Sequence, residues 1–186
     1  GDGYSLEADY SKLFNADNQK RTNEIIFPLT VDATHTVSWG ATTYIVCGEV
    51  DGNSSEDPSK YGVKSAWSMF RLRGELTSLF GTGDKRAMFY TKGQNQYLDT
   101  GIDTQTNGYL MTKYSNLLDN DSVASNTASY GASIDFPMFR LADVYLMYAE
   151  SVVRGGDGGD ISTALGYINK LRERAYGNTD GDVKTT

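Results

Sequence analysis

The sequence predicts a mainly α-helical fold that carries a loop-rich region and a few short β-strands. Two observations lead to this reading. The stretch 135–175 has the pattern of two amphipathic helices joined by the glycine hinge Gly155-Gly156-Asp157-Gly158-Gly159. Ahead of it, short apolar runs are separated by segments crowded with Gly, Asn, Ser and Thr, the composition of loops.

In the first helix of the pair, Leu141, Tyr145, Tyr148, Ala149 and Val152 fall on one stripe. Arg140, Asp143, Glu150 and Arg154 mark a more polar side. Tyr145 and Tyr148 are therefore read as core, and Glu150 and Arg154 stand in the favoured i,i+4 order. Pro137 suits a helix start, where its missing N–H is harmless. Asp160 is a good N-cap for the second helix, Ile161, Ala164, Leu165, Ile168, Leu171 and Ala175 form its stripe, and Gly177 is placed to end it. The short connection makes the two helices antiparallel neighbours.

Upstream signals are weaker. Ser5 can cap a short helix in which Leu6, Tyr10, Leu13 and Phe14 share a face. Glu24-Ile25-Ile26-Phe27 is a compact strand, stopped or forced to an edge by Pro28. Residues 30–40 have no period and hold His35 and Trp39. The β-branched and aromatic run 42–46 reads as a second strand, and Cys47 beside it as a small buried side chain. Leu72, Leu76, Leu79 and Phe80 support a helix within 67–80 despite Gly74. The runs 87–90 and 109–111 are candidates to pair as strands, and 115–133 is polar and irregular.

The bulk composition excludes several functions. The chain has 186 residues, enough for one domain or a large piece of something longer. Its net charge of −7 repels phosphate backbones, so nucleic acid is not an expected partner. No window approaches the roughly 20 apolar residues of a membrane-spanning helix. With one His and one Cys, a catalytic triad would have to use His35, and zinc spacing cannot be built. Asp51, Asn53 and Asp57 alternate like the start of a calcium loop. However, Glu56 stands where the turn glycine belongs and Gly62 where the bidentate Glu belongs. A solvated loop is the preferred reading, with a structural calcium as the lesser one; no other cofactor is expected.

Aromatic side chains are the remaining functional resource. A sugar has apolar C–H faces and a hydroxyl rim, and Tyr and Trp match it with a flat apolar ring and a polar tip. Trp39, in a non-periodic hydroxyl-rich segment, is the expected stacking platform, with Tyr44 and then Tyr10 assisting. Trp67 has no such setting and is assigned to the core. No catalytic residue is expected.

Several segments in order resemble the SusD-like (RagB/SusD) family. Tyr10-x-x-Leu13-Phe14 followed by Glu24-Ile25-Ile26-Phe27 is similar to the family's helix and E-(I/V)-I-F strand. Residues 67–80 with Asp84-x-Arg86, then Gly108 with Lys113-Tyr114, resemble its next two blocks. Asp135, Pro137, Arg140, Leu141, Ala142, Asp143, Leu146, Ala149 and Glu150 match the family's R-x-A-(D/E)-x-x-L-x-x-A-E helix. Ala164, Ile168, Asn169, Arg172 and Arg174-Ala175 match an A-x-x-x-I-N-x-x-R-x-R-A helix.

The resemblance implies an α-superhelix with tetratricopeptide-like helix pairs and a loop-rich glycan region. It also implies non-catalytic capture of starch or another polysaccharide at the cell surface. The glycan would pass to a SusC-like TonB-dependent transporter in the outer membrane, the protein being held there through a lipid anchor. Arg140, Asp143, Glu150, Asn169 and Arg172 are then expected to tie helices together rather than to touch sugar. The expected organisation is a loop-rich glycan-binding region over 1–134, a helical hairpin over 135–178 and a tail over 179–186. The whole is read as the later half of such a protein, without its leader or lipid-bearing cysteine. Two alternatives stand beside this: a helical-repeat scaffold that binds protein, and, further off, a glycosidase.

Overall fold

The computed structural model describes residues 3–35, 38–50, 56–98, 105–124 and 131–184. The C-terminal hairpin forms as the pattern predicts. Helix α3 spans Leu141–Val153 and helix α4 spans Ile161–Tyr176. The Asp160 carboxylate accepts the Thr163 N–H at 2.8 Å. Gly177 closes α4 in the left-handed region, φ 76°, its N–H bonding back to the Glu173 carbonyl. Few side chains in the pair are fully buried: Leu141, Ala142 and Ala149 from α3, Ala164 and Ala175 from α4. The seam between the helices is aromatic instead. Tyr145 stacks on Tyr167 at 4.1 Å between centroids, and Tyr148 meets the same ring edge-on at 5.2 Å.

The N-terminal part departs from expectation at three places. The first is the opening helix: Asp9, not Ser5, caps a single 3-10 turn at Tyr10–Leu13 by accepting the Ser11 N–H. The second is Pro137, which lies inside a strand rather than at a helix start. Strand β4, Phe136–Arg140, pairs antiparallel with strand β1, Ile25–Leu29. The two prolines, Pro28 and Pro137, face each other in a ribbon whose register shifts around Phe27. Neither has an N–H to donate, and in a two-stranded ribbon no third strand needs one. Helix α3 then starts one residue after β4 ends, with the Asp143 carboxylate accepting the Arg140 N–H at 3.0 Å.

The third departure is the run 42–46. It is not a strand but the middle of helix α1, Ala41–Glu49. Its buried side chains, Thr42, Thr43, Val46 and Cys47, recur at helical spacing. The two threonine hydroxyls lock that face down. Thr42 donates to the Ile134 carbonyl at 2.7 Å, and Thr43 accepts the Ala132 N–H at 2.9 Å. Tertiary hydrogen bonds thus override local β preference. Cys47 is buried as expected, but on a helix, and burial pushes its thiol up to about 11.

The helix expected over 67–80 shrinks to α2, Gly74–Thr77, and Leu76 and Leu79 stay exposed. Residues before it are extended because their N–H groups are taken by other elements. Strands β2, Phe89–Tyr90, and β3, Leu110–Met111, pair antiparallel as anticipated.

The core gathers side chains from many short segments: Leu13, Phe14, Ile25, Val46, Val63, Tyr114 and Ile134 among them. Loops this deep need internal partners for their backbone. Two fully buried asparagines supply them. Asn18 donates to the carbonyls of Leu13 and Asp135 and accepts the Asp135 N–H. Asn116 donates to the Gly62 carbonyl and accepts the Ser133 N–H. Among the described residues, no helix is long and apolar enough to cross a membrane.

Candidate functional site

Trp39 lies just ahead of α1, and 58% of it is exposed. Gly40 caps the helix in extended conformation, and Ala41 follows at φ 51°, an unusual value for a residue with a Cβ. This abrupt entry places the indole beside the first turn of α1 rather than in line with it. Tyr44, one turn on, is 38% exposed.

The far end of α1 recruits two further rings. A helix leaves its last carbonyls without intrahelical partners. Here the extended segment that follows supplies donors. Trp67 N–H bonds the Cys47 carbonyl at 2.8 Å, Ser68 N–H that of Val50 at 3.0 Å, and Met69 and Phe70 both bond Gly48. Ser68 turns through φ 54° to do so. Gly48 permits this close approach, since a Cβ there would stand 2.5 Å from a Phe70 ring carbon.

Capping thus assembles an aromatic cluster on the surface of α1. The Trp39 and Trp67 rings lie 5.6 Å apart with planes inclined by 39°. Tyr44 is 6.1 Å from Trp67 and meets Phe70 edge-on at 5.3 Å. Trp67 also packs against the core, so it acts as the inner wall of the cluster as well as a core residue. Only Trp39 and Tyr44 had been picked out for this surface by the sequence. The structure brings those two together through Trp67, whose local sequence points only to the core.

Tyr10 takes another position. It is half-buried against the core, edge-on to Phe14 at 5.2 Å, with the Arg174 guanidinium 5.4 Å from its ring centre. None of its described ring contacts involves Trp39, Tyr44 or Trp67. His35, exposed, bonds the Asp32 carboxylate at 2.9 Å, and hydrogen bonds from Thr34 and His35 hold that carboxyl down at about 2. Asp57 caps a 3-10 turn by accepting the Ser59 N–H, while Asp51 and Asn53 lie outside the described residues.

The residues expected to brace the fold divide into two groups. Among the described residues Glu150 pairs with Arg154 alone, on the exposed side of α3. Asn169 binds the Val183 backbone through both its amide oxygen and nitrogen, and Arg172 donates to the Gly181 carbonyl, so both clasp the tail onto α4. Arg140 does more: it reaches the carboxylate of Glu24, which is fully buried at the start of β1. Arg174 reaches the other oxygen of the same carboxylate at 2.6 Å. The Glu7 N–H donates there as well. Both Glu24 and Arg174 lie within the segments that resemble the family, but nothing local marks either one for a bracing role.

One further carboxyl lies close to the cluster's foundation. Glu49, the last residue of α1, is fully buried and accepts the Tyr114 N–H at 3.1 Å. Loss of hydration pushes it up to about 9, only partly offset by that bond and by Lys113. It is thus a neutral acid at physiological pH, enclosed beneath the helix.

The model of the SusD family matches residues 13–186, and the chain belongs to that family. It is 29% identical, over an alignment of 225 positions, to the starch-binding protein SusD of Bacteroides thetaiotaomicron. That alignment takes in 94% of this chain and 39% of the relative. Among solved structures it resembles surface glycan-binding protein A from B. thetaiotaomicron in complex with laminarihexaose, with a TM-score of 0.64 at 19% identity. All of this chain and 42% of that one are covered. It equally resembles surface glycan-binding protein A from Bacteroides fluxus, TM-score 0.64 at 22% identity, covering 98% of this chain and 38% of that one. The chain thus spans about two fifths of the length of these relatives.

Proposed function

We propose that this chain supplies a non-catalytic glycan-binding surface to a protein on the outer membrane that delivers polysaccharide to a SusC-like transporter. In this reading residues 1–134 hold the sugar and the hairpin over 135–178 braces them. The observation that carries it is the exposed indole of Trp39, backed by Trp67 and flanked by Tyr44. The inclined rings give a shallow, curved apolar ledge to which the C–H faces of successive sugars can be applied. Tyr10 would contribute at most indirectly, through the core on which the cluster rests.

Two fully buried carboxyls serve the fold: Glu24 is committed to two arginines, and Glu49 is enclosed under α1. Shallow ledges bind weakly and gain from multivalency. Native gels cast with starch, laminarin or xyloglucan measure this directly. Retarded migration in one of them, with no reducing sugar released on incubation, supports the proposal. Unretarded migration in all three rejects it.

One observation favours a protein contact as well. Phe27, Leu29, Met138 and Phe139 on the β1–β4 ribbon remain about half exposed, with the two phenylalanine rings 6.4 Å apart. Such a face suits a protein neighbour better than a sugar. It is compatible with handing glycan to a transporter.

A further inference from the structure

Two hollows on the side of the molecule formed by the start of β4 share a wall. The larger, about 670 Å³, and the smaller, about 230 Å³, are both lined by Gln19 and Asp135. The larger falls within the roughly 300–1,000 Å³ of small-molecule sites. Asp135 is only 7% exposed and is fixed on three sides. Its Oδ1 accepts the Val31 N–H at 2.9 Å. Its own N–H donates to Asn18 at 3.0 Å, and its carbonyl accepts the Asn18 amide at 2.7 Å. Among the described residues no protein group donates to its second carboxyl oxygen, Oδ2.

We propose that Asp135 is the centre of a second carbohydrate subsite, separate from the indole ledge, which takes one pyranose-sized polyhydroxylated residue. Among the described residues Oδ2 is not one of the fully buried atoms without a partner, so it opens to solvent and remains an acceptor for a donor from outside. Water can fill that role in the free protein, and a sugar hydroxyl replaces water with little loss. The remaining lining fits such a ligand. Tyr4, 47% exposed, offers a flat ring in the smaller hollow, and Gln19, Thr22 and Thr30 supply amide and hydroxyl groups around it.

The competing occupant is a cation, and the neighbouring carboxylates argue against it. Asp17 is spent on Lys20 and the Asp119 N–H, and Asp32 on Thr34 and His35. Among the described residues no three His, Cys, Asp or Glu side chains converge to hold a metal. Burial also raises the Asp135 carboxyl above its ordinary range, which suits a neutral hydroxyl partner. The ligand class follows from this lining and does not depend on whether the indole ledge holds sugar.

Backbone amide shifts of the labelled chain, titrated separately with maltotriose, laminaritriose and calcium chloride, test the proposal. One of the two sugars is expected to move the Gln19, Thr22 and Asp135 amides, in the wild type and equally in Trp39→Ala. Gln19→Ala, a surface change that removes the amide shared by both hollows, should weaken that response about fivefold. Asp135→Asn, which keeps an acceptor for Val31, should weaken it about fivefold. The proposal is overturned if neither sugar moves these amides, if only calcium does, or if the response is unchanged in Gln19→Ala. An unchanged response in Asp135→Asn removes Asp135 from the subsite and overturns the proposal equally.

Discussion

Arg174, near the end of the last helix, donates to the carboxylate of Glu24 at 2.6 Å across 150 residues of chain. Arg140 takes the other oxygen, and the carboxylate itself has no exposed surface. One anion thus joins the first strand, the entry to α3 and the exit of α4. Each arginine is largely buried, with 15% and 8% of the Arg140 and Arg174 side chains exposed.

Removing the carboxylate while leaving two buried cations is the damaging change, because neither arginine can shed its charge. Glu24→Gln should cost about 3–5 kcal/mol. In a chain of this size that lowers the thermal midpoint by about 8–15 °C. Circular dichroism melting of the two proteins measures it. A shift of a degree or two would show that the triad fixes geometry without supporting stability.

Gly48 carries the second prediction. A methyl group there would press on Phe70, whose segment caps α1 and presents Trp67. Gly48→Ala should cost about 1–3 kcal/mol. It should also alter tryptophan fluorescence, because Trp67 no longer faces Trp39 at the same distance. Unchanged emission with unchanged stability would mean that the segment accommodates a Cβ freely.

The third concerns pH. Glu49 has a folded-state pKa of about 9, raised by burial above the ordinary value of 4.5. Between those values the folded chain holds a proton that the unfolded chain has released. Stability from this group is therefore complete below about pH 4.5 and declines as pH rises toward 9. Glu49→Gln keeps an acceptor for the Tyr114 N–H but has no proton to lose. It should flatten the pH dependence of the urea midpoint between pH 5 and 9 and stabilise the chain at pH 8 by more than about 1 kcal/mol. Parallel curves for the two proteins would place a charged carboxylate under α1.

What the sequence revealed follows from how local each signal is. The α3–α4 hairpin was legible because its stripes, the Asp160 cap and Gly177 all lie within one short stretch and agree. The pairing of β2 with β3 was legible from two short apolar runs. Helix α1 was not, because Thr42, Thr43, Ile45 and Val46 favour a strand locally. Their helix is held by hydroxyl bonds to Ile134 and Ala132, about 90 residues away. Pro137 misled for a similar reason, its strand existing only by virtue of β1. At the candidate site, Trp39 stood out because its segment has no period. Trp67 did not, because what turns it toward the surface is the demand of α1 for donors at its C-terminal end.

The central claim is that the ledge of Trp39, Tyr44 and Trp67 grips carbohydrate. Titration calorimetry of the wild type and Trp39→Ala, against whichever polysaccharide retards the native protein, tests it most directly. Because Trp39 is mostly exposed, the variant should melt within about 2 °C of the wild type. Losing the stacking ring should weaken binding at least about tenfold, corresponding to about 1.4 kcal/mol. Equal affinity in the two folded proteins would contradict the claim and move the sugar elsewhere on the molecule.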